Sequence, residues 1–299
     1  MTILGTNQSN LTKLSAADLD AVCTSIAAFG FTHVRFSVNW GAMTNWWGPI
    51  DYTPVYRVAT ALAKHNLTPL PVLGCNKPWF SDASLGTWGT FVQNVVNIFG
   101  TIPTYEVWNE PNIWNFGVGT PATYLGFLRT AAPIIRAKGS KVMHAGLAAY
   151  VDRPFFMFTN YSPVTWLTQL YAAGEKNDYD IFAYHPYSLD ASGNWADPAT
   201  NPFGLAQVQA LQTLRAQHGD WRPIAFTEVG WDTNRTPAAQ AAAYLPAQMA
   251  ELRNNANLDS IYAFCFQDDT ADDGGAYGIL SAPNTPKAPY YAAVQGLLK

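Results

Sequence analysis

Short runs rich in β-branched and aromatic residues alternate along the chain with longer segments whose apolar positions recur at helical spacing. The runs at 3–7, 33–38, 70–73, 104–108, 141–145, 180–184, 223–227 and 260–266 predict strands. The segments at 16–29, 54–65, 84–99, 121–138, 162–173, 205–218, 238–254 and 289–298 predict helices. Ser15 stands where an N-cap belongs, and Gly30, Gly100 and Gly139 each follow a predicted helix as a stop. No two strands are close enough for a hairpin, so parallel pairing is expected, and eight strand–helix units predict an α/β fold, a (β/α)8 barrel in a single domain over 1–299. An open doubly wound sheet is the rival, but no strand runs into a GxGxxG or P-loop turn.

Composition narrows the classes. Hydrophobic residues make up 48% and aromatics 14% of the 299 residues, enough apolar material to offset the entropy of ordering and to exclude disorder. The formal net charge is -4 and no basic run is present, which argues against a nucleic-acid partner or an anionic membrane surface. No apolar stretch reaches the ~18 residues of a spanning helix, and Met1 to Gly5 carry no visible signal peptide. Cys23, Cys75 and Cys265 are odd in number and widely spaced, so they read as ordinary thiols. The five His show neither HxH nor HExxH spacing, so no metal and no cofactor is expected.

Active residues of such barrels lie at the carboxyl ends of the strands. The fourth strand runs into Glu106-Val107-Trp108-Asn109-Glu110-Pro111-Asn112, and the seventh into Phe226-Thr227-Glu228-Val229-Gly230-Trp231. The chain has only five Glu, and two of them fall at the ends of strands on opposing sides of the barrel mouth. Two carboxyls flanking one bond suit glycoside hydrolysis, where one protonates the leaving oxygen and the other attacks or stabilises the anomeric carbon. Glu106 shares the strand parity of Glu110, so it should point inward and require a cation nearby.

Asn109-Glu110-Pro111 and Glu228 resemble the signature of the retaining, clan A glycoside hydrolases. The resemblance runs over essentially the whole chain and is most specific at 106–112. Within the clan the chain is most similar to family 39 and family 5: His185-Pro186-Tyr187 resembles the former, and Tyr277-Gly278-Ile279-Leu280 with Pro286-Lys287-Ala288 resembles both. The resemblance implies Glu110 as acid/base and Glu228 as nucleophile, with a short carboxyl gap and net retention of configuration. A charged Glu228 beside it, together with partial burial, would raise the pKa of Glu110. It further implies Asn109 on the sugar 2-hydroxyl, Tyr187 donating to the nucleophile, His185 positioning substrate or that tyrosine, and Arg35 as a buried arginine beside Glu228 and Glu106.

Flat aromatic faces match the C–H faces of pyranose rings. Trp40, Trp46, Trp47, Trp79, Trp114, Trp195 and Trp231 fall in loops after strands, whereas Trp88 and Trp166 fall inside helices and read as core. Asn39, Asn76 and His144, near strand ends, are equally suited to capping a loop or touching sugar. The clan places a Trp at the end of the eighth strand as a floor under the reactive sugar. Here Phe264-Cys265-Phe266-Gln267-Asp268 stands instead, with Phe266 as the expected floor and Asp268, Asp152 and Asp232 as further candidates.

The functional expectation is a retaining hydrolase of β-glycosidic bonds, endo-acting on a polysaccharide or oligosaccharide, and a monomer. A carbohydrate-binding barrel without catalysis would not need two Glu, an Asn and a Tyr together, and a transglycosylase would use the same residues. A polysaccharide substrate points to an extracellular, cell-surface or phage-particle setting.

Overall fold

A computed structural model describes residues 3–43, 49–74, 85–116, 118–155, 158–175, 177–188, 203–255, 257–269 and 275–298. The strands, in chain order, are β1 (Ile3–Asn7), β2 (His33–Asn39), β3 (Thr68–Gly74), β4 (Thr104–Asn109), β5 (Lys141–Ala148), β6 (Arg153–Phe155), β7 (Phe158–Asn160), β8 (Phe182–His185), β9 (Ile224–Val229), β10 (Leu258–Ala263), β11 (Leu280–Ala282) and β12 (Thr285–Pro286). The helices are α1 (Ala16–Phe29), α2 (Trp40–Met43), α3 (Thr53–Lys64), α4 (Leu85–Phe99), α5 (Pro121–Arg136), α6 (Pro163–Ala172), α7 (Phe203–Gln217), α8 (Ala238–Arg253) and α9 (Tyr290–Gly296).

β1, β2, β3, β4, β5, β8, β9 and β10 close into one barrel in that order, all pairs parallel. The predicted (β/α)8 architecture is therefore the observed one. Local signals set the helix starts: Ser15, Thr120 and Ser162 accept the N–H of the residue three positions on, satisfying an otherwise orphaned donor. Gly30 closes α1 at φ 110°, a left-handed conformation that a side chain would oppose.

Inside the barrel, Leu70, Met143, Ile181, Ala183, Ala225 and Tyr262 form a small apolar plug, separate from the larger core between strands and helices. Above that plug, toward the carboxyl ends, the interior turns polar with Asn7, Arg35, Glu106, His185 and Thr227, all buried. A polar layer on an apolar floor is the setting in which charged groups must pair with one another.

The expectation of no hairpin is corrected. β6 pairs antiparallel with β7 in the loop after β5, and β11 pairs with β12 near the C-terminus. Each is three residues or fewer per strand, too short for a period-2 pattern to register in the sequence. The last barrel strand also ends earlier than predicted, at Ala263, and the peptide that follows between Phe264 and Cys265 is cis.

Candidate active site

β4 delivers two site residues in succession because its end is irregular. Trp108 has φ 75° and Glu110 φ 43°, left-handed values that are costly for residues with a side chain. The turn at Trp108 breaks the strand alternation, so its ring goes outward against Trp88 and Phe127, with centroids 5.9 and 5.3 Å away. Asn109, next in line, turns inward to Arg35. The Trp108 ring also lies across Gly74, where a Cβ would come within 2.5 Å of it. Asn112 ties this loop to β5, donating to the carbonyl of Ala148 and accepting from its N–H.

Arg35, on β2, is the hub. Its Nε and Nη2 form a two-bond fork on Glu106, at 2.6 and 2.9 Å. Nη1 donates to Glu228 Oε1 at 2.6 Å and to Asn7 Oδ1 at 2.9 Å, and Nη2 also donates to Asn109 Oδ1 at 2.7 Å. Burial alone would depress the guanidinium pKa; Glu106 and Glu228 outweigh it and raise the value, so the charge is retained. The cation that a buried Glu106 requires is thus Arg35. Because Asn109 gives its oxygen to Arg35, its amide N–H groups are the ones left for a ligand.

Glu228, next to last in β9, is buried; its second oxygen, Oε2, accepts the Tyr187 hydroxyl at 2.8 Å. His185 ends β8 fully buried, with Nδ1 2.9 Å from Glu110 Oε1 and Nε2 3.0 Å from Thr227 Oγ1. One oxygen of Glu110, one of Glu228 and one ring nitrogen of His185 all lie within 4.8 Å of one another. Burial pushes the Glu110 pKa up to about 7, with Arg35 opposing and Glu106 adding. The cause is therefore burial and Glu106, rather than the Glu228 charge that the sequence suggested. Burial also draws His185 down to about 4, leaving the imidazole neutral near pH 7.

Gly146 on β5 makes room for this arrangement. A Cβ there would sit 2.0 Å from His185 Nε2 and 2.7 Å from Thr227 Oγ1, so any side chain would displace the ring. The Gly146 N–H donates to Glu106 at 2.9 Å and its carbonyl accepts from the Glu110 N–H at 2.9 Å. Asn7 adds a further brace, donating to the Thr227 carbonyl at 2.9 Å. Glu110, His185 and Glu228 are also the one group of metal-type donors found among the described residues. A guanidinium 2.6 Å from Glu228 opposes a cation there.

Glu110, Glu228, Arg35, Asn109, His185 and Tyr187 are brought together; several other candidates are not. Trp40 is buried among Trp88, Phe91 and Phe127, with centroids 5.4 to 6.4 Å away. Trp231 is buried against Tyr244 of α8 at 5.0 Å. Phe266 is 1% exposed and packs on Phe29 and Phe31 at the end of α1. Phe264 takes the place expected of Phe266, with its ring 5.3 Å from Tyr277 and 6.4 Å from Tyr187. The alternation that pointed to Phe266 fails because the strand has already ended.

Asn39 accepts the Ala42 N–H and so caps α2, and His144 is enclosed by Tyr124, Tyr179 and Phe182 behind the sheet. Asp268 is bound by Lys287 at 2.8 Å and by the Gly278 N–H, Asp232 accepts the Asn234 and Ala276 N–H groups, and Asp152 accepts from Ser162 and Thr165 near the start of α6. All three carboxylates are engaged within the chain. Trp114 is 46% exposed in the loop after β4, and Trp88 and Trp166 are buried as read. Cys75, Asn76, Trp46, Trp47, Trp79 and Trp195 lie outside the described residues; Cys23 and Cys265 are buried free thiols. Asn7, Thr227, Gly146, Phe264 and Tyr277 are site residues that reading the sequence did not single out.

No protein-family model and no curated protein matches the sequence. Among solved structures, the fold is similar to a family 39 glycoside hydrolase from the gut symbiont Bacteroides cellulosilyticus, with TM-score 0.69 and 20% identity over 98% of this chain and 62% of that one. It is similar to a family 5, subfamily 18 glycoside hydrolase from Streptomyces cattleya in complex with Manβ1-4GlcNAc, with TM-score 0.75 and 16% identity over 100% of this chain and 80% of that one. It is also similar to a family 128 endo-β-1,3-glucanase from Sorangium cellulosum, with TM-score 0.63 and 14% identity over 98% and 97%. These neighbours share the clan A type of barrel, and the chain spans less than two thirds of the family 39 enzyme's length. At such identities the likeness is one of fold.

Proposed function

We propose that the chain is a glycoside hydrolase that cleaves β-glycosidic bonds with retention, using Glu228 as nucleophile and Glu110 as acid/base. The observation that carries this reading is the pair itself: one oxygen of each carboxyl within 4.8 Å, in a buried polar layer at the barrel mouth. Retaining pairs stand ~5–5.5 Å apart, whereas inverting pairs leave room for a water at ~6.5–9.5 Å. Fold alone would not carry the proposal, because barrels host many chemistries. The neighbours' β-linked compounds, Manβ1-4GlcNAc and β-1,3-glucan, agree with a β-linked substrate.

The chemistry follows from the contacts. Arg35 and Tyr187 hold the Glu228 carboxylate with both oxygens engaged, aiming it at the anomeric carbon. As the glycosyl–Glu228 bond forms and the glycosidic bond breaks, protonated Glu110 gives its proton to the leaving oxygen. Water then attacks the anomeric carbon; Glu110 takes its proton and Glu228 leaves as carboxylate. Neutral His185 carries one N–H: with the Thr227 hydroxyl donating to Nε2, Nδ1–H goes to Glu110 Oε1 and the transferable proton rests on Oε2. The free N–H groups of Asn109 suit the sugar 2-hydroxyl, and Phe264 with Tyr277 suits the apolar face of the reactive ring.

Endo-action is the finer part of the proposal and rests, among the described rim tryptophans, on Trp114. A polysaccharide substrate would place the protein outside cells or on a particle or cell surface. A panel of β-glucans, xylan, mannan, galactan, arabinogalactan and bacterial exopolysaccharides tests the reading. Wild type should cut at least one glycan, to products of mixed length if action is internal. Glu110→Ala and Glu228→Ala should each lose about 10³-fold or more in kcat. Equal glycan binding by all three proteins with no cleavage by any would favour a binding barrel instead.

A further inference from the structure

The face of the barrel opposite the mouth carries a second cleft, of about 560 Å³, between the end of α7 and the loops that lead into β9 and β10. Trp221 stands at its edge and is 69% exposed, more than any other large hydrophobic side chain among the described residues. An indole left in water forgoes roughly 2–3 kcal/mol of burial, and none of the ring contacts found among the described residues involves Trp221. Beside Trp221 and Ala216, the side chains that line the cleft are polar or charged, Gln212, Thr213, Asn254 and Asn257 among them. Asn257 Nδ2 lies 3.4 Å from the Trp221 carbonyl, which joins the two loops that frame the opening. Gln212 gives its amide N–H to Asn255 and keeps its carbonyl oxygen.

Charge decides what could fit. Arg215 and Arg222 also line the cleft, but both are already committed. Arg215 pairs with Asp220 at 3.1 Å, and Arg222 pairs with Asp220 at 2.6 Å and with Glu175 at 3.0 Å. Two cations meet two anions, so no net positive charge is left for a phosphate or a carboxylate. A stable protein interface buries about 800 Å² per side around an apolar core; here a single aromatic ring, with Ala216 near it, stands among polar side chains. What remains is a neutral ring with one apolar face and a rim of hydroxyls.

We propose that this cleft is a second saccharide-binding site, in which a pyranose stacks on Trp221 and its hydroxyls meet the side chains of Asn254, Asn257 and Gln212. The volume suits a ligand of one to three sugar units. The site faces away from Glu110 and Glu228, so a glycan held there belongs to another strand of the substrate, and the two sites together raise the local concentration of polymer. The saccharide site itself stands on this surface; its coupling to the mouth rests on the hydrolase reading.

Affinity electrophoresis in gels cast separately with β-1,3-glucan, β-1,4-glucan, mannan, xylan and galactan tests it, on wild type, Trp221→Ala and Trp221→Tyr. At least one neutral polysaccharide should retard wild type, Trp221→Ala should bind it about 10-fold more weakly, and Trp221→Tyr should recover most of the loss. Because Trp221 is exposed, all three should melt alike, and their rates on short oligosaccharides should match. The proposal is overturned if no gel retards wild type, if Trp221→Ala is retarded as strongly as wild type, or if Trp221 mediates self-association in sedimentation. Retardation lost in Trp221→Ala without cleavage by any protein would leave this site standing and count against the hydrolase. Cleavage with unchanged retardation would do the reverse.

Discussion

Glu110 is held between opposing effects: burial raises its pKa to about 7, Arg35 pulls it down, and Glu106 pushes it up. A general acid works in its protonated form, so kcat/KM should fall as pH rises through about 7, and a profile flat to pH 9 would contradict the assignment. The same group gives a stability signature of fixed sign. The folded chain keeps a proton that the unfolded chain releases near 4.5, so stability is lost as pH rises from there through about 7. Glu110→Gln has no such proton; its melting temperature should gain on wild type between pH 5 and pH 8, by an amount worth roughly 2 kcal/mol. The chemistry-bearing residues were legible because Glu110, Glu228, His185, Tyr187 and Arg35 are distinctive types at or near strand ends. Asn7 and Thr227 were not, since an Asn and a Thr acquire meaning only when barrel closure sets β1 and β9 beside Arg35 and His185.

At the level of elements, the site depends on local departures from regular strand. β4 turns Asn109 inward through a left-handed Trp108, and β5 yields to the His185 ring by carrying Gly146. Gly146→Ala should shift the imidazole away from Glu110 and Thr227, lowering kcat by about 100-fold and stability by about 1–3 kcal/mol. Steady-state kinetics with thermal melts would show it, and a fully active variant would contradict the packing described. Regular elements were readable because periodicity and caps are local: all eight barrel strands begin within two residues of their expected starts. The short hairpins and the early end of β10 depend on tertiary pairing, which is why the sequence points to Phe266 rather than Phe264; Trp40 and Trp231 directly follow strands, where sequence alone does not say whether a ring turns to the mouth or to the core.

Across the whole molecule the two ends of the barrel divide the work. The mouth holds strained backbone and paired charges at the candidate site, while the opposite end carries a buried clamp of Glu175, Asp220, Arg215 and Arg222, with Arg222 stacked 3.5 Å over the Tyr179 ring. Arg222→Met would leave Glu175 buried without its partner and should cost about 3–5 kcal/mol in chemical denaturation; a loss under 1 kcal/mol would show the clamp to be dispensable. The central claim is the proposal for the mouth, double displacement through a covalent glycosyl–Glu228 intermediate, which the short gap between the carboxyl oxygens supports. The most direct test is to follow by NMR the anomeric configuration of the sugar first released from a β-linked substrate. The account predicts that the β-anomer forms first and mutarotates later; initial release of the α-anomer would contradict it.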